Sequence, residues 1–319
     1  MTRTLFTLLS LAALAMPADK PGKALRTHVR VPLWLDSKTE GSAATLAAKD
    51  LKAQLGAQPA KVLALAGPAE GLLLLVVFDI VGSLTLAEPA KEALIAEFQK
   101  LPESSRVALL RAQDGLRVVV DPTAEKEVLG QAVRDLPVSG KAGLFETVES
   151  VERVADAILN KTAVRVAVLY ITDSDVYNYR EDFTNPVINY SDSGDLSRAF
   201  PEGLVREKGN KLIARLAGNQ TPLFIVHLDY RSDRVNEAYQ VGLRELASVT
   251  GGKSVFCRSN AEIPSAISEM MAIIISHYSA TLELPKRQMK NLTVDLALTN
   301  GGNGPSTLNY RTRFAFKQE

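Results

Sequence analysis

Seven consecutive apolar residues, Leu72 to Phe78, run directly into Asp79. A short unbroken apolar run ended abruptly by a charge reads as a strand buried on both faces, the kind found in parallel sheets covered by helices. Val164 to Ile171, apolar apart from Arg165 and followed by Asp173, reads as a second buried strand, and Pro222 to Leu228, apolar apart from His227, as a third. In open α/β sheets ligands sit beyond the carboxyl ends of the strands. Asp79 and Ser83 after the first strand, and Asp173 after the second, therefore stand where a site is expected.

Helical spacing fills the intervals. Glu88 to Leu101 places Ala90, Leu94 and Phe98 on one face. Arg106–Arg111 and Leu116–Val120 read as a strand and its return across an Asp114-Gly115 turn. Asp121-Pro122-Thr123 reads as the cap of a helix to about Leu136, and Leu144–Leu159, Lys208–Leu216, Ala238–Thr250 and Glu262–Ile275 as further helices. Gly251-Gly252 stops the fourth of these, and Ser254–Cys257 reads as another strand. This alternation predicts an α/β fold, a doubly wound and mostly parallel sheet, over residues 70–276.

The flanks are different. In Thr27–Asp36, Val29, Val31 and Leu33 alternate with His28, Arg30 and Pro32, the period of a half-buried strand. Lys61–Leu65, Tyr278–Leu284, Lys290–Leu298 and Tyr310–Phe316 also read as strands, with a Gly/Asn-rich turn at Asn300–Pro305, while Ala43–Leu55 is compatible with a helix. We expect residues 19–69 and 277–319 to pair into one small β-rich domain beside the central one, since chain termini commonly lie close together.

The first 18 residues read as a signal peptide. Arg3 gives the positive region, Leu5–Ala15 the apolar core and Ala13-Leu14-Ala15 a small-x-small site. The expectation is an exported protein, periplasmic or extracellular, with no membrane span once the signal is removed. Charge is balanced, 37 basic against 36 acidic residues, which gives no footprint for nucleic acid. Cys257 is the single cysteine, so no disulfide forms within the chain. Phosphate loops, dinucleotide fingerprints and nucleophile elbows are missing. His28, His227 and His277 stand singly. His227, near Asp229 at a strand end, reads as a structural histidine more readily than as a base.

Asp175–Val205 breaks the pattern with three tyrosines, Tyr177, Tyr179 and Tyr190, among many Asn, Asp and Ser. Aromatic rings among small polar residues suit an adaptable binding loop, and this loop leaves from the strand end beside Asp173. A solvated insertion without a partner is the competing reading.

Three pieces together resemble the bacterial von Willebrand factor A-related proteins common among secreted acidobacterial proteins: LLLLVVFDIVGSL, VAVLYITDSDVYN, and LRELASVTGGKSVF followed by ISHYSATLELP. The resemblance implies an adhesion-type metal site assembled from Asp-x-Ser-x-Ser, a threonine on a second loop and an aspartate on a third. Carried over, Asp79, Ser83 and Asp173 match. The remaining serine position is Val81, and the threonine position falls near Ala142, where neither Ala142 nor Gly143 has a side-chain oxygen. Mg²⁺ or Ca²⁺ needs about six oxygen ligands, so the resemblance implies a degenerate site. Asp175 or Ser139 would have to complete it, or Asp79 and Asp173 would instead accept hydrogen bonds from loop amides. The expectation is a non-catalytic module that binds a protein partner without a cofactor, through Asp79, Ser83, Asp173, Asp175, Tyr177, Tyr179 and Tyr190. The alternatives are Mg²⁺- or Ca²⁺-dependent adhesion, and a hydrolase built on the strand-end carboxylates, for which no nucleophile is evident.

Overall fold

The computed structural model describes residues 27–37, 46–182, 201–285, 290–299 and 306–316. The signal segment 1–18, Tyr190 and the Asn300–Pro305 turn lie outside them.

The run that opens at Leu72 becomes β5 (Leu72–Asp79), buried at every position. It pairs in parallel with β6 (Ser105–Arg111) on one side and β8 (Arg165–Thr172) on the other. β9 (Leu223–His227) and β10 (Ser254–Phe256) extend the sheet beyond β8, while antiparallel β7 (Arg117–Thr123) closes the other edge. The reason for the unbroken apolar run is visible in the packing. Leu72, Leu74, Val76 and Phe78 face a core with α1 (Leu84–Lys100), α2 (Lys126–Arg134) and α6 (Ile263–Ser276). Leu73, Leu75 and Val77 face a second core with α3 (Leu144–Lys161), α4 (Pro201–Leu216) and α5 (Arg234–Thr250). Strand side chains alternate between faces, so a strand covered by helices on both sides has no polar position to spare. From β5 the chain crosses to β6 in one direction, whereas β8, β9 and β10 build the other half. The topological switch therefore falls between β5 and β8, at Asp79 and Asp173.

The two ends of the chain build a sandwich. One sheet runs β13 (Ser306–Tyr310), β1 (His28–Ser37), β11 (Tyr278–Glu283), β4 (Val62–Ala66); the other runs β14 (Arg313–Ala315), β12 (Asn291–Leu298), β2 (Leu51–Leu55), β3 (Gln58–Ala60). Val29, Val31 and Leu33 from the first meet Leu51, Leu55, Leu292 and Val294 from the second in a third core. Two buried arginines tie the sandwich to the α/β unit. The Arg165 guanidinium donates to the carbonyls of Ile275, at 2.9 Å, and His277, at 2.8 Å, where the chain passes from α6 to β11. Arg311 donates to the carbonyls of Ala217, Asn219 and Arg313.

Several boundaries differ from the sequence reading. Leu51–Leu55 is a strand rather than part of a helix, preceded by one 3₁₀ turn at Ala48–Asp50: Leu51, Ala53 and Leu55 are buried and Lys52 and Gln54 exposed, so period-two burial overrides helix propensity. Asp121-Pro122-Thr123 finishes β7, with Thr123 in register with Val107, and does not cap α2, which Glu125 precedes. α4 begins at Pro201, where a fixed φ suits a first turn, so Val205 belongs to a helix and not to the loop. The predicted strand Tyr310–Phe316 breaks at Arg311, whose side chain turns inward to those three carbonyls. Among the described residues no helix is long and apolar enough to cross a membrane.

Candidate functional site

β5 and β8 end side by side, with Asp79 in register with Thr172. Both aspartates at this pole are inside the protein, Asp79 fully buried and Asp173 3 % exposed. Asp79 Oδ1 accepts the Gly143 amide at 2.9 Å and Oδ2 the Leu144 amide at 3.0 Å, the first free N–H groups of α3. A carboxylate there satisfies amides that the helix leaves without partners and lies against the positive end of its dipole. Thr172 Oγ1 adds a third bond at 3.3 Å. Asp173 does the same for the loop after β5: Oδ1 accepts Val81 N–H at 2.8 Å and Oδ2 accepts Gly82 N–H at 2.9 Å.

A chain of hydroxyls runs inward from this pair. Thr172 Oγ1 lies 2.7 Å from Ser174 Oγ, Ser174 Oγ 2.8 Å from the Tyr239 hydroxyl, and that hydroxyl 2.6 Å from the Tyr179 hydroxyl. The Phe145 amide donates to Tyr179 at 3.3 Å. His227 joins through its ring. With its Nε2 donating to the Ser174 carbonyl at 2.8 Å and its Nδ1 accepting the Asp229 amide at 3.4 Å, one neutral tautomer satisfies both partners. Burial lowers its pKa to about 4, so the ring is a structural post in a buried network and not a base facing a cleft.

Burial also governs the two acids. Desolvation lifts Asp79 to about 7 against the opposing pull of the Gly143 and Leu144 amides. It raises Asp173 too, against the amides of Val81 and Gly82.

The donor set does not fit a divalent cation. Each carboxylate oxygen of Asp79 and Asp173 already accepts a backbone amide. Val81 has no side-chain oxygen, and the Ser83 hydroxyl pairs with Thr85 Oγ1 at 2.7 Å. A side chain at position 143 has no room, because a Cβ there would lie 2.0 Å from the Ala112 carbonyl oxygen. Asp175, the possible substitute ligand, is 5 % exposed and engaged by the Tyr177 amide at 2.8 Å and the Arg231 guanidinium at 3.0 Å. Among the described residues, no group of three His, Cys, Asp or Glu side chains has metal-holding geometry.

The candidate residues thus separate into two sets. Asp79, Asp173 and Asp175 are internal braces. Tyr179, expected on a binding surface, is a core residue 4 % exposed, its ring against Phe145 and Tyr239. It is drawn inside because residues 142 and 179 bridge as parallel neighbours and its hydroxyl finds Tyr239. Tyr177, 59 % exposed, and Ser83, half-buried, remain on the surface. The sequence reading missed Thr172, Ser174 and Tyr239 as members of the network; the Thr-Asp-Ser triplet at a strand end was the available signal. It also missed Leu84, 65 % exposed on the first turn of α1, and the arginines Arg180 and Arg231 that rim the pole.

No protein-family model matches the sequence, and no curated protein matches it significantly. Solved structures similar to it include a von Willebrand factor type A protein from Catenulispora acidiphila, 13% identical, covering 93% of this chain and 76% of that one, with a TM-score of 0.44. The PilB minor pilin from Streptococcus sanguinis is 12% identical, covering 65% of this chain and 61% of that one at a TM-score of 0.45. The vWF domain of the type V pili tip protein Mfa5 from Porphyromonas gingivalis is 13% identical, covering 64% and 95% at 0.40. At these scores the likenesses are distant, and the residues of the pole decide its chemistry.

Proposed function

We propose that this chain is an exported, non-catalytic module that binds a protein partner through the pole at the ends of β5 and β8, without a metal ion, with the α/β unit over 70–276 as its binding part. The carrying observation is that each carboxylate oxygen of Asp79 and Asp173 is held by a backbone amide. Those bonds brace three loops into one fixed surface and leave the carboxylates no open face for a cation or for a reacting group. What the pole offers outward is Tyr177 and Leu84, with Arg180 and Arg231 beside them. Aromatic and arginine side chains on a rigid frame suit a protein contact. The sandwich supports this unit from the opposite side, through Arg165 and Arg311.

Two measurements test the reading. Calorimetric titration of Mg²⁺, Ca²⁺ and Mn²⁺ into EDTA-treated protein should give no heat, and none of the three should raise the unfolding temperature. Millimolar or tighter binding abolished by Asp79→Ala would replace this reading with cation-dependent adhesion. For the partner, cross-linking from position 177 in whole cells should capture a discrete protein. Tyr177→Ala should reduce capture at least tenfold while leaving stability within about 0.5 kcal/mol, as expected for an exposed side chain.

A further inference from the structure

The sandwich meets the α/β unit across a crevice that encloses a cavity of about 300 Å³. One wall is the outer face of the sheet that holds β1 and β13. Val29, Val31 and Leu33 of β1 belong to the sandwich core, so strand alternation turns Trp34 and Asp36 the other way, toward the α/β unit. There the Trp34 ring lies 6.1 Å from that of Phe224 on β9. Asn309 of β13 pairs opposite Trp34 and shares its face. The other wall is Ser248, in the last turn of α5, and the Gly251-Gly252-Lys253 turn that follows. Only glycines let this turn come so close: a Cβ at 251 would lie 2.8 Å from Pro32 Cγ, and one at 252 would lie 1.8 Å from the Leu223 carbonyl oxygen. Leu223 begins β9, which runs parallel to β8. The cavity is therefore at the amino ends of the strands, away from Asp79 and Asp173 at the carboxyl ends. Junctions between two packed units are favoured places for small-ligand sites.

The walls are rich in acceptors and short of free positive charge. Asp36 makes no ion pair among the described residues. Asn309 directs its Nδ2 to the Thr307 carbonyl at 3.4 Å, which leaves its Oδ1 as an acceptor. α5 brings the negative end of its dipole here, and its last turn holds no basic residue. Lys253, the one lining cation among the described residues, is drawn to Glu269 of α6, with Nζ 2.6 Å from Oε1. A carboxylate, an amide oxygen and a helix C-terminus beside an indole suit a positively charged ligand. The carboxylate and the helix end attract the charge, and indole is the side-chain ring that holds a cation best.

We propose that this crevice binds a small organic cation, an ammonium compound seated between the Trp34 indole, the Asp36 carboxylate and the end of α5. The site has walls from both units and shares no residue with the Asp79 pole, so it stands whether or not that pole binds a protein.

Trp34 is the only tryptophan in the chain, so its fluorescence reports this crevice alone. Choline is the probe, titrated at constant ionic strength into the full chain to about 50 mM, well past the roughly millimolar Kd that a ligand of its size reaches. The expected result is a saturable change in emission. The neutral isostere of choline, with a tert-butyl group in place of the trimethylammonium, should bind at least about tenfold more weakly. Glucose, neutral and rich in hydroxyls, should give no change. Asp36→Asn should weaken choline binding about tenfold without moving the unfolding midpoint, because the side chain is exposed, and Asp36→Glu, which keeps the charge, should retain most of the affinity. Absence of a saturable change with choline overturns the proposal. So does a neutral isostere or glucose that binds as well as choline, or an Asp36→Asn protein that binds choline as the parent does.

Discussion

Asp79→Ala is the substitution that most directly reads how the pole is built. The carboxyl is fully buried and accepts two α3 amides at 2.9 and 3.0 Å. Alanine leaves both N–H groups buried without acceptors, at about 2 kcal/mol each, so the loss of stability is about 4 kcal/mol where the acid is at its most favourable. Its pH dependence follows from the raised pKa. The folded value, about 7, lies above the ordinary aspartate value of 3.8. Between those values the native state holds a proton that the unfolded chain has released, so this group's contribution is fully present below 3.8 and is lost as pH rises through 7. From pH 5 to pH 8 the wild type loses about 2 units at 1.36 kcal/mol each, or roughly 3 kcal/mol, and the alanine variant does not. The gap between them therefore narrows with rising pH.

Urea unfolding of both proteins at pH 5, 6, 7 and 8 measures that gap, with Asp79→Asn as the control. Asparagine keeps one carbonyl acceptor and cannot titrate, so its deficit should be smaller than alanine's at pH 5. A gap below about 1 kcal/mol at pH 5 would mean that the α3 amides do not need the carboxyl. A gap that widens with pH would mean that Asp79 is an ionised group stabilised by those amides, and that amide bonding outweighs burial.

Other expectations concern the core and the junction. Leu74→Ala, at a fully buried position of β5, should cost about 2–5 kcal/mol by thermal or chemical unfolding, because helices on that face cannot collapse into the cavity. Arg311→Ala should cost about 3 kcal/mol, because it strips donors from the carbonyls of Ala217, Asn219 and Arg313 at about 1 kcal/mol each. Glu152→Gln should cost far less near neutral pH, since burial already lifts this acid to about 8 and holds it protonated; a larger loss for Gln than for Arg311→Ala would refute that order. His227 and His277, lowered by burial to about 4 and about 3, are neutral in the fold. Their contribution is present above the unfolded histidine value and lost as pH falls through the folded ones, so a thermal-unfolding series should show His227→Gln flattening the decline between pH 6 and 4.

The parts of this protein that could be read from the sequence are those where one physical demand acts alone. A strand covered on both faces must be apolar at every position, and Leu72–Phe78 is, so its place in a parallel sheet and the strand end at Asp79 both follow. Half-buried β1 announces itself through Val29, Val31 and Leu33 for the same reason. Where two demands compete, the local pattern misleads. Leu51–Leu55 has helix-compatible residues but is claimed by the sandwich, and Tyr310–Phe316 looks continuous until Arg311 is required at the junction.

The candidate site shows the same division at the level of single atoms. That Asp79 and Asp173 stand together could be inferred from two strand ends; what they hold could not, because it depends on backbone amides, and amides leave no mark on a sequence. The nearest thing to a mark is what is missing around them. Val81 and Gly143 offer no side-chain oxygen where an adhesion-type metal loop would need one, and in the structure the Val81 amide and the Gly143 amide are themselves partners of the two acids. A cation shared among loops and a carboxylate shared with loop amides solve one problem, fixing separate strand ends against each other. The second solution requires no side-chain oxygen at either position, and at Asp79 and Asp173 its bonds are made by backbone amides. On the proposed reading recognition comes from what surrounds the acids, Tyr177, Leu84 and the rimming arginines, and Asp79→Ala should loosen the fold rather than remove a cation.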